Sequence, residues 1–270
     1  MRAGEYQFGL LSSDERVLDG LTHLLAVLQC AESDVSDQWR IERVLVDGES
    51  RWRFSVNAEE VLDAASLDSA VLALVQRLNT EFVRSWPGPV CHAGGVSYQG
   101  LGVVLPADPE SGKSTLTCGL VRAGSAYLTD EGVAFRPGTL RIEPYPKPIT
   151  LDRGSWFLFP ELEPEPFGES ERDQWQVSPL SIRPDAVSGP CDARYIVFPK
   201  YVEGADTRLT PIRRAEALVD LAKNTFEFNQ HSREYLDQLA IVVEACDCYR
   251  LTVGTLEDAV SCIQELVGAG

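Results

Sequence analysis

The sequence is short of positive charge. Only 24 of its 270 residues are Lys or Arg, against 41 Asp or Glu, and the formal net charge is −17. Recognition of a nucleic acid requires a basic face against the phosphate backbone, so this balance argues against a nucleic-acid partner. It does not argue against a single nucleotide, because Mg²⁺ and a few local cations can neutralise a triphosphate.

The sequence also lacks a long hydrophobic run. No apolar stretch approaches the roughly 20 residues that a membrane-spanning helix needs, and the chain opens without a leader of the charged, apolar and small-residue type. We therefore expect a cytoplasmic protein with no membrane partner. Hydrophobic residues make up 44% of the chain, enough for one large domain or for a core domain with a smaller lobe.

Close cysteine pairs are nearly absent. Seven cysteines are scattered along the chain, a pattern that indicates reduced and mostly buried thiols. The one close pair is Cys246 and Cys248, and a zinc site there would need a second pair or a nearby histidine, for which His231 is the sole candidate in that region. Two core cysteines at a helix-to-strand junction are the favoured interpretation.

Residues 1–88 have the pattern of a separate α/β lobe. Two alternating runs, 39–46 and 51–56, flank an Asp-Gly turn and predict a β-hairpin. Apolar residues then recur at helical spacing over 71–83, and Pro87-Gly88-Pro89 ends that predicted helix. No chemistry is visible here, so we interpret the lobe as a docking or oligomerisation element.

What the sequence does contain is a phosphate-loop pattern. The apolar run 101–105 leads into a tight loop and then a helix-like segment. In a P-loop of this order, backbone N–H groups and the helix N-terminus attract phosphate oxygens. Lys113 adds a full charge near the β- and γ-phosphates, and the Ser114 hydroxyl can bind Mg²⁺. The predicted nucleotide-binding residues are Ala107, Asp108, Pro109, Glu110, Ser111, Gly112, Lys113, Ser114 and Thr115.

The loop departs from the usual pattern at two positions. Ala107 stands where a glycine usually opens the loop, and Glu110 places a carboxylate beside the expected phosphates. The alternative is a chance Gly-Lys-Ser in an ordinary loop. A buried strand before it and an amphipathic helix after it favour a phosphate loop.

Three further residues could complete a catalytic site. Asp130 and Glu131 follow an apolar strand, whose end in an α/β sheet lies beside the P-loop. One carboxylate can hold Mg²⁺ there, and the other can accept a hydroxyl proton. His92 lies one strand before the loop and could face the γ-phosphate or the acceptor. The alternatives are an ordinary acidic turn and a core histidine.

The remaining signals are weaker. Residues 160–190 interleave proline with glutamate, which predicts either an irregular loop over the active-site edge or a solvated acidic insertion. A strand is predicted over 194–198, ended by Pro199. Five cations could clamp developing charge or could be ordinary surface residues: Lys147, Arg153, Lys200, Arg213 and Arg214.

Over roughly residues 88–225 the chain resembles the HPr serine kinase-related proteins. The resemblance depends on the order of His92-Ala93, Gly-x-Gly-Val-Val-Leu-Pro-Ala, Ser111-Gly112-Lys113-Ser114-Thr115-Leu116 and Leu128-Thr129-Asp130-Glu131. Two later segments are similar to the HprK-related kinase A branch: Pro148-Ile149-Thr150-Leu151 and Ile196-Val197-Phe198-Pro199.

The resemblance implies an α/β fold. Its P-loop core, of the type shared by HPr kinases and PEP carboxykinases, would contain a mixed sheet and occupy residues 89–270, beside the N-terminal α/β lobe. Lys113 and Ser114 fall on the phosphate and metal positions, and Asp130 on the expected general base. Glu131 replaces a second Asp as a metal ligand, and His92 falls on the family's histidine before the loop.

The resulting hypothesis is a P-loop phosphotransferase that uses ATP and Mg²⁺ to phosphorylate a hydroxyl, a serine in a peptide or protein. The Gly-rich signature that follows the P-loop domain in true HPr kinases is missing, which argues against HPr itself as substrate. Two alternatives stay open: a nucleotide-binding regulatory or scaffold protein that has lost catalysis, and a small-molecule hydroxyl kinase. The resemblance also implies self-association into a homo-oligomer.

Overall fold

The computed structural model describes residues 1–31, 35, 37–108, 111–164 and 174–269. Its helices, in chain order, are α1 (Glu15–Leu24), α2 (Leu67–Ser85), α3 (Lys113–Arg122), α4 (Pro179–Ile182), α5 (Arg214–Lys223), α6 (Ser232–Ala245) and α7 (Leu256–Gly268). Its strands are β1 (Arg2–Ala3), β2 (Tyr6–Leu11), β3 (Asp37–Val46), β4 (Glu49–Val56), β5 (Glu59–Ala64), β6 (Val90–Tyr98), β7 (Leu101–Pro106), β8 (Ala126–Thr129), β9 (Gly132–Phe135), β10 (Arg141–Glu143), β11 (Ile149–Asp152), β12 (Gln174–Val177), β13 (Cys191–Tyr201), β14 (Arg208–Pro211) and β15 (Asp247–Val253).

The backbone divides into two compact units. The first consists of Met1–Ser85 with Lys147–Ser178, and the second of Trp86–Pro146 with Pro179–Gly270. The first unit therefore includes a segment that the sequence analysis placed in the P-loop domain. The boundary predicted at residue 88 stays a prediction.

The first unit is built on a sheet whose five strands, β1 to β5, lie in chain order. The predicted hairpin is confirmed: β3 and β4 pair antiparallel down to Val46 and Glu49. Asp47 and Gly48 join them with φ of +54° and +83°, the positive values that a tight hairpin turn with matching twist requires. Helix α2 packs against this sheet. It buries a stripe of apolar side chains, as its helical spacing predicts.

An aromatic cluster forms the core of this unit. The rings of Phe8 and Trp39 stack with centroids 4.4 Å apart, and Phe54 meets Trp39 edge-on at 5.6 Å. The Trp39 indole N–H donates to the Tyr6 hydroxyl at 2.9 Å. Each ring therefore buries a large apolar area, and the indole nitrogen, the polar atom of the Trp39 side chain, has a hydrogen-bond partner.

The interpretation of residues 160–190 as an irregular loop is wrong for residues 174–182, while 165–173 lie outside the described residues. Strand β12 pairs antiparallel with β11, and α4 follows it. The strand forms because Trp175 and Val177 are buried and alternate with polar neighbours. Trp175 stacks on Trp156 at 4.6 Å with an interplanar angle of 6°.

The second unit is built on a mixed sheet, which confirms the predicted α/β class. Its strand order is β10-β9-β6-β7-β13-β15-β14, and β8 also pairs with β6. The central strands β7, β13 and β15 run parallel. Helices α5 and α6 join a core with one face of these strands, while α3 and α7 pack together on the other.

Strand β13 does not end at Pro199, contrary to the prediction, but continues to Tyr201. Proline lacks the N–H that a strand donates to its neighbour, so inside a sheet it is confined to edges and similar positions. Pairing of β13 with β7 stops at Ile196 and Val104, whereas pairing with β15 continues to Tyr201. Pro199 therefore lies where β13 is paired on one side only.

Two expectations about composition can be compared with the structure. All seven cysteines are free, and five of them are buried, as the scattered pattern predicts. No helix within the described residues is both long enough and apolar enough to cross a bilayer.

Candidate functional site

The predicted strand, loop and helix are present around the phosphate-loop pattern. Strand β7 ends at Pro106 and α3 begins at Lys113. Gly112 caps the helix with φ of +85°, a left-handed conformation that glycine adopts without steric cost. Its carbonyl accepts the first helical bond, from Leu116 N–H at 2.9 Å. Pro109 and Glu110, two of the predicted nucleotide-binding residues, lie outside the described part of the chain.

The start of α3 has the properties of a phosphate cradle. No side chain caps its N-terminus among the described residues, so its first N–H groups point out of the helix. The Ser111 hydroxyl oxygen is buried without a hydrogen-bond partner in the described chain. A Cβ added at Gly112 would meet one described atom within 4 Å, Tyr201 Cβ at 3.8 Å. A buried hydroxyl without a partner beside uncapped N–H groups fits a bound phosphate.

Lys113 is directed from the helix start toward β6. Its side chain is buried, with 7% of the residue exposed, and its Nζ lies 2.7 Å from His92 Nε2. An ammonium group only donates, so His92 accepts at Nε2 and carries its proton on Nδ1. Burial, and then the charge of Lys113, lower the pKa of His92, although nearby carboxylates oppose this shift. His92 is therefore neutral at pH 7.

The position of His92 is fixed by its surroundings. Its backbone N–H donates to the carbonyl of Asn224 at 2.6 Å, just after α5. Its ring meets Phe226 edge-on with centroids 5.7 Å apart. The ring atom that contacts Lys113, Nε2, also lies 3.4 Å from Glu131 Oε1. The structure thus brings together His92, Lys113 and Glu131, three residues that the sequence analysis selected separately.

The two adjacent carboxylates have different environments. Asp130 is fully buried and accepts a 2.8 Å hydrogen bond from the Tyr127 hydroxyl. Glu131 keeps 30% of its side chain exposed. Asp130 and Glu131 form the turn between β8 and β9. Thr129 Oγ1 stabilises this turn by accepting hydrogen bonds from the N–H groups of Glu131 and Gly132 at 3.2 Å each. Glu131 is therefore the carboxylate of the pair that a ligand can reach directly.

Two buried tyrosines surround Asp130. Burial, followed by the charge of Asp130, raises the pKa of both Tyr127 and Tyr145 well above the usual value. Both phenols therefore stay protonated, and Tyr127 is a permanent donor to Asp130. Sequence reasoning missed Tyr127, because its position three residues before an acid has no known meaning as a motif.

The candidate charge clamps do not form one cluster. Lys200 lies near the carboxyl end of β13, the end of the parallel strands at which the P-loop pattern follows β7. Arg213 and Arg214 lie near the opposite, amino end of these strands, since the neighbouring Ile212 N–H donates to the carbonyl of Cys248 near the start of β15. The remaining two candidates, Lys147 and Arg153, belong to the first unit.

No group of three or more His, Cys, Asp or Glu side chains in the described ranges could hold a metal ion. Cys246 follows the last residue of α6, Cys248 is the second residue of β15, and both are buried. Burial raises the pKa of Cys246 to about 12 and of Cys248 to about 11, which suits core thiols rather than zinc-binding thiolates. Ser114 and Glu131 offer the hard oxygen donors that Mg²⁺ prefers.

A scan against models of protein families finds no match for the chain, and a search of curated proteins finds none either. Among solved structures, the chain is similar to the HPr(Ser) kinase/phosphatase from Coxiella burnetii. The two share 12% sequence identity with a TM-score of 0.34, and the match covers 67% of this chain and 94% of that chain. Similarity at this level carries no conclusion about function.

Proposed function

We propose that the chain is a nucleotide-binding phosphotransferase that uses Mg·ATP to phosphorylate a hydroxyl group. The observation that supports this most strongly is the start of α3, where no described side chain caps the first N–H groups and Lys113 lies 2.7 Å from His92. A lysine at such a helix start, next to a histidine and a reachable carboxylate, is suited to binding and activating a phosphoryl group.

Each residue has a proposed task. The N–H groups of residues 112–115 and the Lys113 ammonium bind the phosphates. The Ser114 hydroxyl and the Glu131 carboxylate hold Mg²⁺, which when bound neutralises charge on the phosphate oxygens. His92 accepts a hydrogen bond from Lys113 and thereby keeps the ammonium close to the loop.

The proposed general base is Asp130. Its carboxylate is buried and accepts a hydrogen bond from Tyr127, so an acceptor hydroxyl must come within hydrogen-bond distance of Asp130 before this residue can take its proton. Glu131, by contrast, keeps 30% of its side chain exposed. Comparing Asp130→Asn with Glu131→Gln therefore separates proton transfer from metal binding. Asp130→Asn should lower the rate of phosphoryl transfer, whereas Glu131→Gln should weaken Mg²⁺ binding and raise the Mg²⁺ concentration that transfer requires.

The proposed acceptor is a serine in a peptide or protein. The burial of Asp130 favours a second candidate function, a nucleotide-binding regulatory protein without catalysis. Phosphorylation of a small-molecule hydroxyl is a third outcome of the same assay. Self-association is also proposed and is measured by light scattering after size-exclusion chromatography.

The test compares wild type with Lys113→Ala. We expect Mg·ATP to raise the unfolding temperature of wild type, and Lys113→Ala to weaken Mg·ATP binding by about 10- to 150-fold, the loss of a charge-assisted hydrogen bond. The control is Lys223→Ala, because Lys223 is exposed and paired with Asp220. Transfer of labelled γ-phosphate is then measured on serine peptide libraries and on small hydroxyl compounds.

The outcomes are distinct. Absence of any effect of Mg·ATP on wild-type unfolding contradicts nucleotide binding altogether. Binding without transfer to any acceptor supports the regulatory function instead of the kinase. Transfer that survives Asp130→Asn shows that another group is the base.

A further inference from the structure

Strand β13 extends beyond the strand that leads into the phosphate loop. The two strands are parallel neighbours, and their pairing ends with Ile196 beside Val104. Counting along this register places Phe198 level with Pro106, so Tyr201 lies three residues farther on, roughly 10 Å past the end of β7. Ligands of open α/β sheets bind outside the carboxyl ends of such strands.

Tyr201 lies next to the loop itself. Its Cβ is 3.8 Å from the point where a Cβ of Gly112 would be, so Tyr201 lies beside the residue that precedes α3. The residue is 56% exposed, unlike most aromatic side chains of this unit. The following Val202 is also exposed, at 40%. An exposed apolar surface thus borders the phosphate cradle on its β13 side.

The other side of the cradle has the opposite character. His92, Asp130 and Glu131 all lie on the β6 side of β7. A nucleoside triphosphate on the loop has two ends, and the terminal phosphate belongs with the histidine and the carboxylates, where transfer is proposed. The nucleoside must then extend toward β13, where Tyr201 is exposed.

We propose that Tyr201 is the base-stacking residue of the nucleotide site and that the base lies against its ring. Aromatic rings and nucleobases attract each other through large, flat apolar faces, largely independently of which base is present. The inference rests on the proposed function only for nucleotide binding and needs no phosphoryl transfer. It predicts a contact to the base that phosphates alone cannot provide.

The test compares two ligands that share the phosphates and differ in the base. Affinities for Mg·ATP and for Mg·tripolyphosphate are measured by calorimetry for wild type, Tyr201→Ala and Tyr201→Phe. We expect Tyr201→Ala to weaken Mg·ATP binding by about 5- to 150-fold, the range that base stacking spans, and to leave tripolyphosphate binding unchanged. Tyr201→Phe keeps the ring and should bind both ligands like wild type.

The matched control is Tyr98→Ala. Tyr98 is the last residue of β6 and pairs with Leu101, the first residue of β7. It therefore lies at the end of β7 that is remote from the loop, and its removal should affect the binding of neither ligand. Circular dichroism on heating checks that each variant folds.

Three results overturn the proposal. If Tyr201→Ala binds Mg·ATP like wild type, the base lies elsewhere. If it weakens both ligands equally, Tyr201 supports the loop rather than the base. If wild type binds neither ligand, nucleotide binding itself fails, an outcome that is distinguishable from the first two.

Discussion

His92 links the ionisation of the site to the stability of the fold. Because burial and the charge of Lys113 lower its pKa, folded His92 stays neutral at pH values where an unfolded histidine, with a pKa near 6.5, already binds a proton. The unfolded state therefore gains protons first as the pH falls through 6.5. The contribution of His92 to stability is consequently lost on acidification, with a slope of at most about 1.4 kcal/mol per pH unit.

We expect His92→Gln to reduce this acid sensitivity. Glutamine can still accept a hydrogen bond from Lys113 through its amide oxygen but does not titrate. The free energy of unfolding in urea is measured at pH 7.5, 6.5 and 5.5 for wild type and variant. His23→Gln and His231→Gln are the controls, since both residues are exposed. Equal pH dependence of wild type and His92→Gln would contradict the assignment.

At the scale of elements, the approach of β6 to α3 positions the site. A Cβ at Gly94 would overlap Thr117 Oγ1 and would lie 3.3 Å from Lys113 Cγ, so only glycine allows this strand to pack directly beneath the helix. The Thr117 hydroxyl is buried without a partner in the described residues. This contact is the place where the separation of β6 and α3 can be changed deliberately.

We expect Gly94→Ala to lower the free energy of unfolding by about 1–3 kcal/mol, the usual cost of overpacking. Adding Thr117→Ala should restore part of this loss, because it removes the overlapping atom. Gly154→Ala is the control, since nothing described lies within 4 Å of its Cβ position. Urea denaturation of the single and double variants gives the coupling energy, and a double variant no more stable than Gly94→Ala would refute the proposed overlap.

The elements that could be predicted from the sequence are those that depend on neighbours in the chain. The hairpin around Asp47 and Gly48, the strand before the phosphate loop and α2 all follow from local turn chemistry and apolar periodicity. Strand β12 was missed because prolines and glutamates around it obscure a short alternation. The adjacency of β7 and β13 was not predictable, since it joins distant segments, and Tyr201 was missed for the same reason.

The residues of the candidate site could be selected from the sequence, whereas the contacts between them could not. His92, Lys113 and Glu131 could be selected by motif, whereas the hydrogen bond between the first two depends on how β6 packs on α3. The burial of Asp130 beneath Tyr127 likewise depends on the folded sheet. Residue types identify chemistry, and only packing decides which of two adjacent carboxylates faces solvent.

At the scale of the whole molecule, the seven thiols provide a test of the fold. Burial raises the pKa of Cys91 and of Cys246 to about 12, so neither forms a thiolate near neutral pH, while Cys30 is exposed. Alkylation requires both access and the thiolate. Cys262 is half-buried, and burial raises the pKa of its thiol, so it should react more slowly than Cys30. The folded chain should therefore react fastest at Cys30.

We expect iodoacetamide at pH 8 to modify Cys30 rapidly and to leave Cys91, Cys246 and Cys248 unmodified for as long as the chain stays folded. Peptide mass spectrometry follows each site, and Cys30→Ser should remove the rapid phase. In denaturant all seven cysteines should react alike. Rapid labelling of Cys91 in the folded protein would contradict the position of β6 against the turn after α5.

The parallel arrangement of β7, β13 and β15 has a consequence for synthesis. The ribosome completes the phosphate-loop motif early, but the strand that borders it on one side, and Tyr201 with it, is made only later. Strand β13 ends at Tyr201, 86 residues after Thr115. At about 5–20 residues per second, the wait until β13 is complete amounts to roughly four to seventeen seconds. During that interval the nascent chain carries the motif with one edge of β7 unpaired. A gene fragment that stops before residue 191 would therefore encode the motif without β13, the strand that pairs with β7.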